Sequence, residues 1–174
     1  MSNFKIIFVA GTHGVGKGYF CSEVANNFGL PVFSASKLIK ETKQAEIDIN
    51  KKVIDAEINQ NLLISALKKI KTASKLIVLD GHFCLYSDKG IINVPIKTFI
   101  QMPLKSILVL YDFPENIYKR TIDRDTVSLS IDIISDLQER ELEQANLIAN
   151  LVGIPCYKIP FCDISKAIKE GIFL

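Results

Sequence analysis

The sequence predicts an open α/β sheet of parallel strands, and three stretches carry that prediction. The first is FKIIFVAGTHGVGKGYF at 4–20, an apolar run that ends at Gly11 and passes through a glycine-rich turn into a helical segment. The second is KLIVLD at 75–80, a continuous apolar run ending in an acid; the third is SILVLY at 106–111. Near-continuous apolar runs of this length, the first interrupted only by Lys5, are how strands buried on both faces read. Helical segments lie between them, and strands alternating with helices build a parallel sheet with right-handed crossovers.

Taken in order, Phe4 to Ala10 is the first strand and Lys17 to Phe28 the first helix. Phe20, Val24 and Phe28 repeat every four residues on its buried face, and Gly29 ends it in the usual position just past the last turn. Leu30 to Phe33 reads as a short second strand. A helix through 37–40 follows, with Ser36 as its N-cap. Glu41 to Asn50 is polar and reads as loose chain, and a long helix is expected over 51–71, with Ile54, Ile58, Leu62, Ala66 and Ile70 spaced by four. After the strand at 75–80 come a loop through Ser87-Asp88-Lys89-Gly90, a small excursion over 91–95 and a helix or turn over 96–102. Ser106 to Tyr111 is a buried strand. Pro114 opens the next helix from a first-turn position where proline is tolerated. Residues 127–131 read as mobile, and a long amphipathic helix over 132–152 stops at Gly153. Ile154 to Ile159 is the last strand, and 164–169 a terminal helix.

With 174 residues, 48% of them hydrophobic and 23% charged, the composition is that of one globular domain, not a disordered chain. A net charge of +2 is too small to argue for nucleic acid as the main partner. Cys21, Cys84, Cys156 and Cys162 form no C-x-x-C pair, which fits reduced, mostly buried thiols in a cytoplasmic protein. The apolar stretch at the start is too short for a signal peptide, and no run is long enough for a membrane span.

The chemistry concentrates in 11–19: Gly11, Thr12, His13, Gly14, Val15, Gly16, Lys17, Gly18 and Tyr19. Gly-x-x-x-x-Gly-Lys between a strand and a helix is the context of a phosphate-binding loop. Backbone N–H groups and the N-terminal end of the helix favour an anion, and Lys17 is placed to reach the β- and γ-phosphates of ATP. The position after the lysine normally carries a Mg²⁺-binding hydroxyl; here it is Gly18, and the phenol of Tyr19 is too long to replace it simply. His13 occupies a freely variable position of the loop. Asp80, at the end of its strand, is either a Mg²⁺ ligand, directly or through water, or a cap on the next turn. His82 either orients a nucleophile or packs against the loop. Arg120 and Arg124, four apart, either clamp phosphate oxygens or pair with Glu115, Asp123 or Asp125. Lys40 faces either a second anionic substrate or solvent.

The loop GTHGVGKG, the segment LIVLDGHFCL, the strand and helix ILVLYDFPENIYKR and the helix LQERELEQANLIANLVGIPCYKI occur in an order and spacing that resemble the P-loop nucleoside-monophosphate kinase superfamily. Within it they resemble the small archaeal-type adenylate kinases and related adenylate kinase-like ATPases. The resemblance implies a three-layer fold around a five-stranded parallel sheet. It also implies ATP and Mg²⁺ as cofactors, an acceptor region over 34–72 that includes Ser36 and Lys40, and a short lid over 120–131. Lys17, Asp80, His82, Arg120 and Arg124 are then the candidate catalytic residues. The family lid is rich in arginine, whereas 126–130 here is Thr-Val-Ser-Leu-Ser. Two readings follow: phosphoryl transfer from ATP to a nucleoside monophosphate or other small acceptor, or a nucleotide-binding module or slow ATPase that signals its state to a protein partner.

Overall fold

The computed structural model describes residues 3–47, 56–87, 89–122 and 129–174. Five parallel strands, β1 (Lys5–Ala10), β2 (Val32–Ser34), β3 (Leu76–Asp80), β6 (Leu104–Tyr111) and β7 (Cys156–Pro160), form one sheet in the order β2-β3-β1-β6-β7. Strands β4 (Cys84–Ser87) and β5 (Gly90–Asn93) form a separate antiparallel hairpin. The helices are α1 (Lys17–Phe28), α2 (Ala35–Ile47), α3 (Ala56–Lys69), α4 (Ile96–Ile100), α5 (Pro114–Ile122), α6 (Ile131–Val152) and α7 (Ile164–Glu170). They cover both faces, giving the three-layer architecture that the resemblance implied.

Each central strand feeds two cores, because successive side chains point to opposite faces. Ile6, Phe8 and Ala10 of β1 join Ile77 and Leu79 of β3, and meet Leu63 and Leu67 of α3 and Ala145 and Ile148 of α6. Ile7 and Val9 turn the other way, onto Phe20 and Val24 of α1 and Ile164 and Ile168 of α7. Burial on both faces is the reason the runs 6–10, 76–79 and 107–110 within β1, β3 and β6 are apolar without interruption.

Several expectations need correction. The stretch 41–47 is not loose chain: α2 continues through Ile47, since Glu, Lys, Gln and Ala are good helix formers whatever their polarity. Ser36 is not an N-cap; α2 begins at Ala35, and the Ser36 hydroxyl meets that of Ser34 at 3.0 Å. The loop and excursion over 87–95 are a hairpin, with Leu85 opposite Ile92 and Tyr86 opposite Ile91. The helix expected over 51–71 is described from Ala56 to Lys69, and its predicted first turns lie outside the described residues. Of the stretch 127–131 expected to be mobile, 127 and 128 lie outside them, whereas Ile131 opens α6 and Ser130 caps it, its hydroxyl accepting from the Ile133 amide at 3.3 Å. Of the cysteines, Cys21 and Cys84 are buried, whereas Cys162 is exposed. Among the described residues, no helix is long and apolar enough to cross a membrane.

Parallel strands place all their carboxyl ends on one edge, and the register aligns those ends. Val9 pairs with Asp80, Asp80 pairs with Ser34, and the Gly81 amide donates to the Val9 carbonyl at 3.0 Å. Ligands of open α/β sheets bind at this edge.

Candidate phosphate-loop site

Between β1 and α1 the chain makes the glycine-rich turn, and three of its glycines, Gly11, Gly14 and Gly16, are required by geometry. Gly14 has φ +84°, and a Cβ there would lie 2.5 Å from the Thr121 methyl. Gly16 has φ +108°, and a Cβ there would lie 2.5 Å from the Phe161 ring. Both conformations are strained for any residue with a side chain. Gly18 differs, because a Cβ there would meet nothing within 4 Å.

Lys17 is buried, yet its ammonium sits inside the turn. Its Nζ donates to the Gly11 carbonyl at 2.6 Å and the Thr12 carbonyl at 3.2 Å, and lies 3.0 Å from His82 Nε2. An ammonium can only donate, so Nε2 accepts and the His82 proton resides on Nδ1. Burial, then the charges of Lys17 and His13, push the His82 pKa down to about 3, so the ring is neutral at physiological pH. Asp80 has one carboxylate oxygen, Oδ1, that is buried without a hydrogen-bond partner. Burial raises its pKa, and the Lys17 charge opposes that rise. The hydroxyl of Thr12 is similarly buried and unpartnered.

Arg120, on α5, reaches back over the loop. Its Nε donates to the Gly14 carbonyl at 3.0 Å, one terminal nitrogen donates to Asp112 at 2.7 Å, and the guanidinium lies 4.5 Å from the Phe161 ring centre. Burial alone would raise the Asp112 pKa; hydrogen bonds from Arg120, Asn116 and the Phe113 amide outweigh it and hold the carboxyl below its ordinary value. Arg124 lies outside the described residues. Val15 is fully buried, whereas His13 is exposed, as is Tyr19, whose ring is 6.4 Å from that of Phe161.

Two residues of α6 brace this edge, and neither was identified from the sequence. Gln138 accepts from the Asp112 amide at 3.0 Å and donates to the Asp112 carbonyl at 2.9 Å. Glu141, 1% exposed, accepts from the amides of Phe83 and Cys84, both at 2.9 Å. Burial pushes the Glu141 pKa up to about 7, against the pull of those amides and of Lys17. The available signal was spacing: both residues continue the buried stripe of Ile134 and Leu137 at helical intervals, where a polar residue is out of place unless it is paired.

Beside Asp80 and His82 opens a cavity of about 280 Å³, walled by Phe8, Ile39, Leu63, Val94 and Phe99, with Thr98 and Ser36 also on its lining. Phe8, Phe83 and Phe99 form a cluster with ring centres 4.7–5.4 Å apart. Lys40 is exposed and does not line this cavity.

The residues present fit a nucleotide. Side chains would fill the space that the glycines leave, and Lys17 supplies a cation beside the Asp80 carboxylate. Among the described residues no three His, Cys, Asp or Glu side chains cluster as a metal site, but Mg²⁺ beside a bound nucleotide is held by one or two carboxylates together with phosphates, and the unpartnered Asp80 Oδ1 suits that role.

A glycine-rich turn after the first strand, its lysine directed into the turn and an acid closing the neighbouring strand define the P-loop nucleoside-monophosphate kinase-like fold. Residues 10–138 match the AAA domain family, and the chain belongs to it. No curated protein sequence matches the chain. Its structure is similar to a shikimate kinase from Acinetobacter baumannii in complex with shikimate, with TM-score 0.60 and 15% identity over 97% of this chain and 93% of that one. It is also similar to a sugar kinase from Janibacter, with TM-score 0.59 and 13% identity over 97% and 92%. A gluconokinase from Sinorhizobium meliloti aligns with TM-score 0.54 and 13% identity over 97% and 91%.

Proposed function

We propose that this protein binds ATP at the loop 11–19 and transfers its γ-phosphoryl group to a small acceptor held in the cavity beside Asp80. The observation that carries this reading is the position of Lys17, whose ammonium is seated in the loop and touches His82, itself on the wall of that cavity. One cation thereby stands between the place for phosphates and the place for an acceptor. In the reaction the acceptor oxygen bonds to the γ-phosphorus, the bond from that phosphorus to the β,γ-bridging oxygen breaks, ADP leaves, and the acceptor proton is lost to solvent. Lys17 and the loop amides neutralise phosphate charge, and positioning and electrostatics supply most of the catalysis in this chemistry. Asp80 would hold Mg²⁺, which supplies charge neutralisation on the phosphate oxygens. His82, as a neutral ring, would orient the acceptor oxygen. Arg120 would act chiefly through the loop, since its guanidinium already holds Gly14 and Asp112.

A second reading, a nucleotide-binding module or slow ATPase that signals to a protein partner, is favoured by Gly18, which brings no hydroxyl to the metal. One assay separates the two. The pure protein is incubated with Mg-ATP and a panel of nucleoside monophosphates, sugars and neutral alcohols while ADP is followed. The kinase reading predicts acceptor-dependent ADP release that Asp80→Asn removes. Tight ATP binding with no acceptor dependence, unaltered by Asp80→Asn, would overturn it in favour of the module.

A further inference from the structure

The acceptor cavity has walls suited to one class of compound. We infer that it takes an uncharged hydroxyl compound with a small apolar body, and that it discriminates against phosphate esters and carboxylates. This rests on the kinase reading for the role of the cavity, but its chemistry stands on the walls themselves.

Three observations support the inference. The apolar part of the lining comes from both sides of the space: Phe8 on β1, Ile39 on α2, Leu63 on α3 and Phe99 on α4. An anion would gain nothing from these surfaces and would lose its hydration. Next, no lysine or arginine occurs among the described lining residues. Lys17, which touches the lining residue His82, does not itself line the cavity and is bonded to two loop carbonyls. The charged group that does line the cavity is Asp80, so in the metal-free protein, in which the probes below are compared, a bound anion would face a carboxylate.

The third observation is positive. Thr98 is 1% exposed and lines the cavity, and its hydroxyl oxygen has no hydrogen-bond partner. A buried hydroxyl without a partner is costly and rare in folded proteins. Asp80 Oδ1, on the same lining, is also without one. A ligand hydroxyl can donate to the carboxylate and exchange a hydrogen bond with Thr98, satisfying atoms the fold leaves open. At about 280 Å³ the space is at the small end of ligand pockets, which run from roughly 300 to 1,000 Å³. It suits a ring-sized body.

Benzyl alcohol, benzyl phosphate and benzoate share one flat body and differ in charge, so they serve as probes. Binding to the protein is followed by amide chemical shifts of Gly81, Leu85 and Thr98. Benzyl alcohol is expected to shift these resonances and to bind at least about 10-fold more tightly than either anion, a modest share of what a like-charge contact costs. Thr98→Val, which keeps the shape and removes the hydroxyl, should weaken benzyl alcohol about 5-fold, close to one hydrogen bond, and Thr98→Ser should restore it. Tighter binding of benzoate or benzyl phosphate would overturn the inference, and so would failure of benzyl alcohol to move the cavity resonances. ATP binding is titrated on the same sample. Its loss would refute the kinase reading while leaving the selectivity of the cavity as measured.

Discussion

The two halves of the sheet's carboxyl edge are built on opposite plans. Around the phosphate loop, charged side chains are spent on bracing backbone: Lys17 holds the carbonyls of Gly11 and Thr12, and Arg120 holds that of Gly14. Around the cavity, Phe8 and Phe99, packed on Phe83, supply apolar wall, and the polar atoms of Asp80 and Thr98 are left open. On the proposed reading, the place for phosphates is made of preorganised donors and fixed charge, and the place for an acceptor of apolar surface with a few unsatisfied atoms. Glu141 joins the two, since it holds the Phe83 and Cys84 amides and feels the Lys17 charge.

This contrast can be broken from either side. The largest effect is expected at Phe99→Ala, which empties part of the cavity floor. Loss of a buried phenylalanine of this kind costs about 3–5 kcal/mol, readable by urea denaturation, while ATP affinity at low temperature should persist. Equal loss of ATP affinity in the folded variant would show that the two halves are not separable.

Glu141→Gln comes next and is read as a pH dependence. The folded pKa of Glu141 is about 7 against an ordinary 4.5, so between those values the folded state holds the proton more tightly than the unfolded state. Its contribution to stability is therefore greatest below 4.5, falls as pH rises towards 7, and levels off above. Asp80, also raised, acts in the same sense, and His82, lowered to about 3, acts in the opposite one. The difference between wild type and Glu141→Gln isolates the single group. The variant should gain on the wild type between pH 5 and 8 by on the order of 2–3 kcal/mol, and parallel melting curves across that range would contradict the assignment.

Gly16→Ala addresses the other side. Its left-handed backbone and the contact with Phe161 should cost about 1–3 kcal/mol and weaken ATP, while leaving benzyl alcohol bound. Smallest of all is Gly18→Ser, whose new side chain enters open space. Stability should change by less than about 0.5 kcal/mol, and the dependence of ATP affinity on Mg²⁺ should steepen. An unchanged Mg²⁺ profile would mean that the metal is held without this position.

The phosphate-loop half was the more legible in the sequence. Its loop, the buried strands β1, β3 and β6, and Asp80 at a strand end all lie in contiguous motifs, where periodicity and glycine spacing carry the information. The cavity half was not legible in the same way, because its residues come singly from separate elements. Thr98 is one threonine in a five-residue helix. The hairpin β4-β5 has only four residues in each strand, too few for alternation to stand out from a loop. The extension of α2 through Ile47 is hidden in the sequence because its residues are polar, although they are good helix formers. Gln138 and Glu141 look like surface residues until the loops they hold are in place.

The central claim is that Lys17 and the loop around it hold the phosphates of ATP. Equilibrium titration of a fluorescent ATP analogue against wild type and Lys17→Ala, with folding of both checked by circular dichroism, tests it directly. The account predicts saturable binding by wild type and none by folded Lys17→Ala up to millimolar nucleotide. Equal affinity of the two folded proteins would contradict it.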